Sequence, residues 1–303
     1  MLWCKWGPRR TIRKALLLLV GLMLLYSVTK RSPRLYMDRL AAFREIVGID
    51  LMDKFHDYNT CIYARTFSAS PSELLEQLVP IMDQCKRDLQ LTDASIDAFR
   101  GESEFKYHIL PNEGSEGRGC TIVTVGIGSD VRSEMGIRKR LRDVQWRCAF
   151  HGADSMAHKN KELYEAVGSF YNVGVTNQTN LERRGNKKGS KGRNTVEVEL
   201  VQFLRNSVRA SYVVDQLLLT ADYDMIPYFH EGSPLDEEGI EICQVNVVFK
   251  GAIDTTAFAR FMRKALREHR WIFFKPLIGR DVRLFMLNIE SPSCAERYIV
   301  DKF

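Results

Sequence analysis

The sequence predicts an α/β fold: a seven-stranded Rossmann-like sheet with a C-terminal antiparallel hairpin, carried on an N-terminal membrane anchor and a helical segment. Three observations predict it. First, Thr121 to Val125 are β-branched without a break, and the run ends in Gly126-Ile127-Gly128. Such a run favours a strand buried on both faces. The glycines let the chain turn sharply and let a ligand approach bare backbone. Second, strand-like and helix-like segments alternate from Thr121 onward, the pattern of a parallel sheet with crossover helices. Third, the last two strands are separated only by Leu277–Val282, too short for a helix, so they pair antiparallel.

Residues 1–34 read as a cytosolic tail and signal anchor. They carry Lys5, Arg9, Arg10, Arg13, Lys14, Lys30, Arg31 and Arg34 and no acid. Those eight charges, removed from a net +6 for all 303 residues, leave −2 for the rest. The folded part is therefore not a basic nucleic-acid binder. Between the charges lies the uncharged, leucine-rich stretch Ala15–Thr29. It is short against a span of about 20 residues, yet Tyr26-Ser-Val-Thr29 makes a poor cleavage site. The charge excess upstream puts the N-terminus in the cytosol. The expected form is a single-pass type II membrane protein of the endoplasmic reticulum or Golgi with a lumenal body. Secretion after signal cleavage is the alternative.

Residues 35–119 read as a stem and helical N-terminal extension, with a stem over 30–60 and a short helix at Met37–Val47. Ser70-Pro-Ser-Glu73 is a capping box with proline at the first helical position. The helix it opens has Leu74, Leu75, Leu78, Ile81, Met82, Cys85 and Leu89 on one face. Residues 98–119 look like a connection into the sheet. The domain proper is 120–303. Its strands are expected at 121–125, 147–152, 170–175, 213–220, 241–249, 271–276 and 283–288. Its helices are expected near 132–145, 155–167, 199–209, 223–230 and 255–269. Glu182–Arg193 is a glycine-rich basic run, read as a solvated loop. Of seven cysteines, Cys120, Cys148 and Cys243 fall in strands and read as buried free thiols. Cys61, Cys85 and Cys294 read as the disulfide formers, with pairing not deducible. Asn177-Gln-Thr179 is a glycosylation sequon.

The glycine turn after one strand and Asp154 just past the next make the layout of a nucleoside site, in which the acid takes ribose hydroxyls. A dinucleotide fingerprint needs a third glycine where Val131 stands, and no Gly-Lys-Ser/Thr ending marks a P-loop. Five crossovers and a terminal hairpin in a seven-stranded sheet form the class I methyltransferase architecture. The expected cofactor is S-adenosylmethionine.

From about Cys120 to Tyr298 the chain resembles the FkbM-type methyltransferases, in particular a nematode membrane-anchored group. The resemblance is carried by Cys120-Thr-Ile-Val-Thr-Val-Gly-Ile-Gly-Ser-Asp130, Phe150-His-Gly-Ala-Asp154, Tyr223-Asp-Met-Ile-Pro-Tyr-Phe229, Ile242-Cys-Gln-Val-Asn246 and Arg283-Leu-Phe-Met-Leu-Asn288, with Cys294 and Tyr298. It implies methyl transfer to a hydroxyl of a glycan or small molecule, with Gly126, Gly128 and Asp154 as cofactor contacts and Asp130 in the glycine-turn pattern. The chain departs from the family at Thr220, Val248 and Lys250, where the family shows acids and a histidine.

An alkyl hydroxyl is a weak nucleophile, so a base must help remove its proton. Asp222 is the first candidate, Asp224 the second and His151 a weaker third. Two other readings stand beside this one: a catalytically diverged relative that binds the cofactor, and a type II membrane glycosyltransferase using Asp222-Tyr223-Asp224 as a D-x-D metal site. The anchor reading has a direct check. In sealed microsomes, added protease should remove only the first dozen or so residues and spare the body. Digestion of the body without detergent overturns it.

Overall fold

The computed structural model describes residues 48–102, 104–112, 119–178, 196–210, 212–251 and 253–303. The expected anchor at Ala15–Thr29, the helix at Met37–Val47 and the basic run Glu182–Arg193 lie outside the described residues. Among the described residues, no helix is long and apolar enough to cross a membrane.

α1 (Ile49–Thr66) buries Met52, Phe55, Tyr58, Asn59 and Ile62, spaced three and four apart as one helical face requires. From residue 49 onward the expected stem is thus a core helix. α2 (Pro71–Asp88) opens on the expected capping box, with Ser70 and Glu73 exchanging side-chain and backbone bonds. It buries Leu74, Leu78, Met82 and Cys85. A Cys61–Cys85 disulfide joins the two helices.

The region expected to be a plain connection instead forms an antiparallel hairpin, β1 (Ile96–Arg100) and β2 (Phe105–Ile109). The core then runs β3 (Cys120–Val125), α3 (Arg132–Asp143), β4 (Cys148–Ala153), α4 (Ala157–Glu165) and β5 (Ser169–Tyr171). A short parallel pair follows, β6 (Gly174–Thr176) with β7 (Glu197–Glu199). α5 (Leu200–Gln202) continues as a π-helix over Phe203–Val208. Next come β8 (Val213–Ala221), a 3-10 helix over Tyr223–Phe229, α6 (Pro234–Glu237), β9 (Glu241–Phe249) and α7 (Thr255–Glu268). The chain closes with β10 (Trp271–Ile278), β11 (Val282–Asn288) and α8 (Pro292–Tyr298).

Seven of these strands make one sheet, in the order β5-β4-β3-β8-β9-β11-β10. The first five are parallel, and β11 runs antiparallel to both of its neighbours. This mixed α/β sheet is consistent with a Rossmann-like methyltransferase. Strand ends fall within two residues of expectation, except that β5 stops at Tyr171. The outer edge at β10 would expose unpaired carbonyls. α1 covers it: Tyr58 donates to the Phe273 carbonyl (3.2 Å) and Asn59 to the Trp271 carbonyl (3.0 Å).

The cysteine reading is corrected. Cys120 and Cys148, directly opposite each other on β3 and β4, form a disulfide, and Cys243 on β9 pairs with Cys294 on α8. The error followed from equating strand burial with a free thiol. In register-paired positions the two Cα atoms lie only 4.4 Å apart, within bridging distance.

The hairpin is held on the sheet by side-chain amides. Gln244 accepts from the Ile109 N–H (2.7 Å) and donates to the Ile109 carbonyl (3.1 Å). Asn246, two residues on, does the same for Tyr107 (2.7 and 2.8 Å). The two-residue repeat of β9 thus matches that of β2. Gln216 donates to the Tyr107 carbonyl (2.6 Å), which leaves its oxygen to face His108 Nδ1 (3.0 Å). His108 therefore carries its proton on Nδ1. Its Nε2 is buried with no partner among the described residues.

Burial pushes the His108 pKa down to about 4, against a weaker opposing effect of the Gln216 bond. The unfolded chain takes up a proton near pH 6.5 while the folded one resists until about 4. Unfolding free energy should therefore fall as pH drops from 6.5 toward 4, by up to about 3 kcal/mol, and His108→Asn should flatten that slope. Urea titrations across this window test it; equal slopes in both proteins would show that His108 is not the group responsible.

Candidate functional site

Parallel strands end on one side of a sheet, and ligands of open α/β sheets bind there, where the strand order reverses. Here the chain builds outward from β3 to β5 and returns to place β8 against β3. The switch point lies between those two strands. Gly126 follows β3 with φ +77°. A Cβ there would lie 3.0 Å from the Thr220 Cβ and 3.1 Å from its carbonyl oxygen, so only glycine lets the turn pass this close to β8. Gly128 has φ +71° and is exposed, and Ser129 has φ +76°. A serine in that left-handed region is uncommon and strained, and such strain gathers at binding sites.

Asp154 follows β4, and its carboxylate already has work. One oxygen accepts from the Ile127 N–H (2.9 Å), the other from the Met156 N–H (2.7 Å). The side chain is buried and fixes the glycine turn from below. Each oxygen keeps a second acceptor site for a ligand hydroxyl. Asp130 turns to the hairpin: it accepts from the Glu102 N–H and, at its other oxygen, from the Arg132 N–H and Nε (3.1 and 3.0 Å). Burial alone would raise its pKa, but these bonds and the Arg132 charge hold it below the usual carboxylate range. Asp130 is thus placed to brace the turn.

Asp222 directly follows β8 and is exposed, at the head of the 3-10 helix, with no cap bond from its side chain. Asp224, also exposed, has its pKa raised by partial burial and then by the Asp222 charge. Between them, Tyr223 stacks on Phe249 at the end of β9 (ring centroids 4.8 Å apart, planes 9° apart). Its hydroxyl is buried with no partner among the described residues. Thr220 and Val248 are register partners on β8 and β9, and the Lys250 N–H donates to the Ala221 carbonyl (3.3 Å). Gly126–Gly128, Asp154, Asp222 and Lys250 therefore come from the ends of four adjacent strands in the order β4-β3-β8-β9. Three strand spacings put the outer two about 14 Å apart.

His151 lies apart from this line. It sits within β4 and faces the Tyr171 hydroxyl (Nδ1 to Oη 3.1 Å), with its pKa lowered by burial. Sequence reasoning missed Tyr223 and the hairpin wall. The signal for the hairpin was three amides in otherwise apolar strands, which need partners when buried. A small cleft of about 20 Å³ lies beside Gly126, Thr220 and Val248, with Lys106 and Lys275 in its wall. A larger one, about 830 Å³, is lined by Arg138, Arg142 and Arg147 at the opposite, amino end of β4, away from the switch point. Among the described residues, no group of three or more His, Cys, Asp or Glu is placed to hold a metal ion.

No family model and no curated protein matches the sequence. Among solved structures, the chain is similar to the crystal structure of an rRNA methylase from Escherichia coli, with 10% identity, a TM-score of 0.29 and 76% of each chain covered. A likeness that loose carries no argument about the site.

Removing the Asp154 carboxylate should loosen the turn itself. Asp154→Ala leaves two backbone donors without their acceptor and should cost about 1–3 kcal/mol of stability. Amide exchange at Ile127 and Met156 should speed up together. Unchanged protection at both would mean that the turn holds without Asp154.

Proposed function

We propose that the protein is an S-adenosylmethionine-dependent methyltransferase of the FkbM type, acting on a hydroxyl of a glycan or small molecule in the secretory pathway. The observation that carries this is the convergence of Gly126, Gly128, Asp154 and Asp222 on adjacent strand ends at the switch point. One feature of the turn supports such a cofactor. A Cβ built on Gly128 meets nothing nearer than 4.0 Å, so backbone approach is open. In the family pattern the residues holding it are Gly126, Gly128 and Asp154. The cofactor would supply an electrophilic methyl on a sulfonium.

The chain's own residues do the rest. Gly126 and Gly128 present bare backbone, Asp154 accepts ribose hydroxyls with its remaining lone pairs, and Asp130 keeps the turn from shifting. Asp222, exposed beside the turn, takes the proton of the acceptor hydroxyl. Tyr223, locked on Phe249, fixes the backbone that aims Asp222. Three disulfides support a body outside the cytosol, since such bonds persist in oxidising compartments. They accord with a type II anchor through residues 15–29.

A second reading has one observation in its favour. The pKa of Asp224 is raised by partial burial first and by the Asp222 charge second, and a divalent ion would relieve that repulsion, as in a glycosyltransferase D-x-D site. The two part in one experiment. Wild type should transfer labelled methyl to a lumenal glycan or lipid fraction. Asp222→Asn should keep cofactor affinity and lower turnover by about 10²–10⁴. Cofactor binding without transfer to any cell fraction would leave the chain a diverged binder, and manganese-dependent binding of a sugar nucleotide would favour the second reading.

A further inference from the structure

Lys250 is the family departure that the structure places inside the site. Its backbone is pinned to the end of β8 by the bond to Ala221, and its side chain is exposed. It makes no ion pair with any described residue. The side chain crosses β8 to the glycine turn: Nζ lies 4.0 Å from where a Gly128 Cβ would sit. Gly126, Gly128 and Ser129 all have positive φ there. The Gly126 N–H goes to the Ala153 carbonyl and the Ile127 N–H to Asp154. The N–H groups of Gly128 and Ser129 have no acceptor among the described residues. Backbone N–H groups grouped in a turn form a concavity suited to an anion. Asp130, the next residue in the chain, has both oxygens engaged by Glu102 and Arg132.

We propose that the Lys250 ammonium and the Gly128 and Ser129 N–H groups form an anion subsite for the carboxylate on the cofactor's amino-acid tail. This rests on the methyltransferase reading. It also sets the polarity of binding. A sulfonium beside an ammonium would be repelled, whereas a carboxylate gains a charge-assisted bond. With Asp154 on the ribose at one end and Lys250 on the tail at the other, the methyl is left over β3 and β8, beside Asp222. Lys250 here is a binding residue, not a base.

The test uses the full-length chain in detergent and two thioethers that share a nucleoside. S-adenosylhomocysteine carries the amino-acid tail; methylthioadenosine lacks it. By calorimetry, Lys250→Ala should weaken S-adenosylhomocysteine by at least about tenfold, as losing one charge-assisted hydrogen bond would, and leave methylthioadenosine unchanged. Lys250→Arg should restore most of the loss. Equal weakening of both ligands, or of neither, overturns the subsite. If wild type binds neither thioether, the methyltransferase reading fails, and UDP then decides the subsite separately. UDP affinity that falls in Lys250→Ala keeps an anion subsite and assigns it to phosphate. UDP binding that ignores Lys250, or is absent, removes the subsite too.

Discussion

Three buried amides decide how this sheet is finished. Gln216, Gln244 and Asn246 stand in the central strands, where an unpaired amide would cost about 1–3 kcal/mol. Their partners are the backbone groups of β2, which lies where a helix would be expected to cover the sheet. The hairpin is thus as much a requirement of the sheet as a passenger on it. It also reaches the site. Lys106 on β2 pairs with buried Glu134 in the first turn of α3 (2.8 Å), and Glu102 in the hairpin turn binds Asp130. The glycine turn is braced by the hairpin on one side and by Asp154 on the other.

The sheet was legible because its strands are long, β-branched and punctuated. The apolar runs in β8 and β9 mark their ends closely. The hairpin was not legible, because Ile96–Arg100 and Phe105–Ile109 are five-residue segments carrying charge, and what holds them lies over a hundred residues away. Disulfide pairing was hidden for the same reason. Cys120 and Cys148 meet only through strand register, and Cys243 meets Cys294 only once α8 folds back.

The candidate site was legible as a set of positions and less so as a set of roles. Glycine turns and an acid after the second strand can be read from spacing. That Asp154 and Asp130 each hold backbone cannot, because a carboxylate in a sequence does not reveal its donors. Lys250 reads along the chain as a departure from the pattern that the sequence resembles; in three dimensions its Nζ reaches the glycine turn. A similar limit applied to Asp215, whose place in a strand conceals bonds to Arg297 (2.5 Å), Tyr298 (2.7 Å) and the Thr121 N–H (2.7 Å). That buried acid ties the last helix to the start of β3 and leaves no oxygen without a donor.

The cover over the sheet's edge has a consequence for synthesis. α1 emerges among the first parts of the body, yet Tyr58 and Asn59 bond to carbonyls more than two hundred residues later. Until β10 is made, the apolar face of α1 has no sheet to rest on. The Cys61–Cys85 bridge spans only 24 residues, so it can close as soon as α2 is out and keep the two helices paired. Docking of α1 therefore waits for the last strands of the sheet, whereas the bridge needs only the two helices it joins.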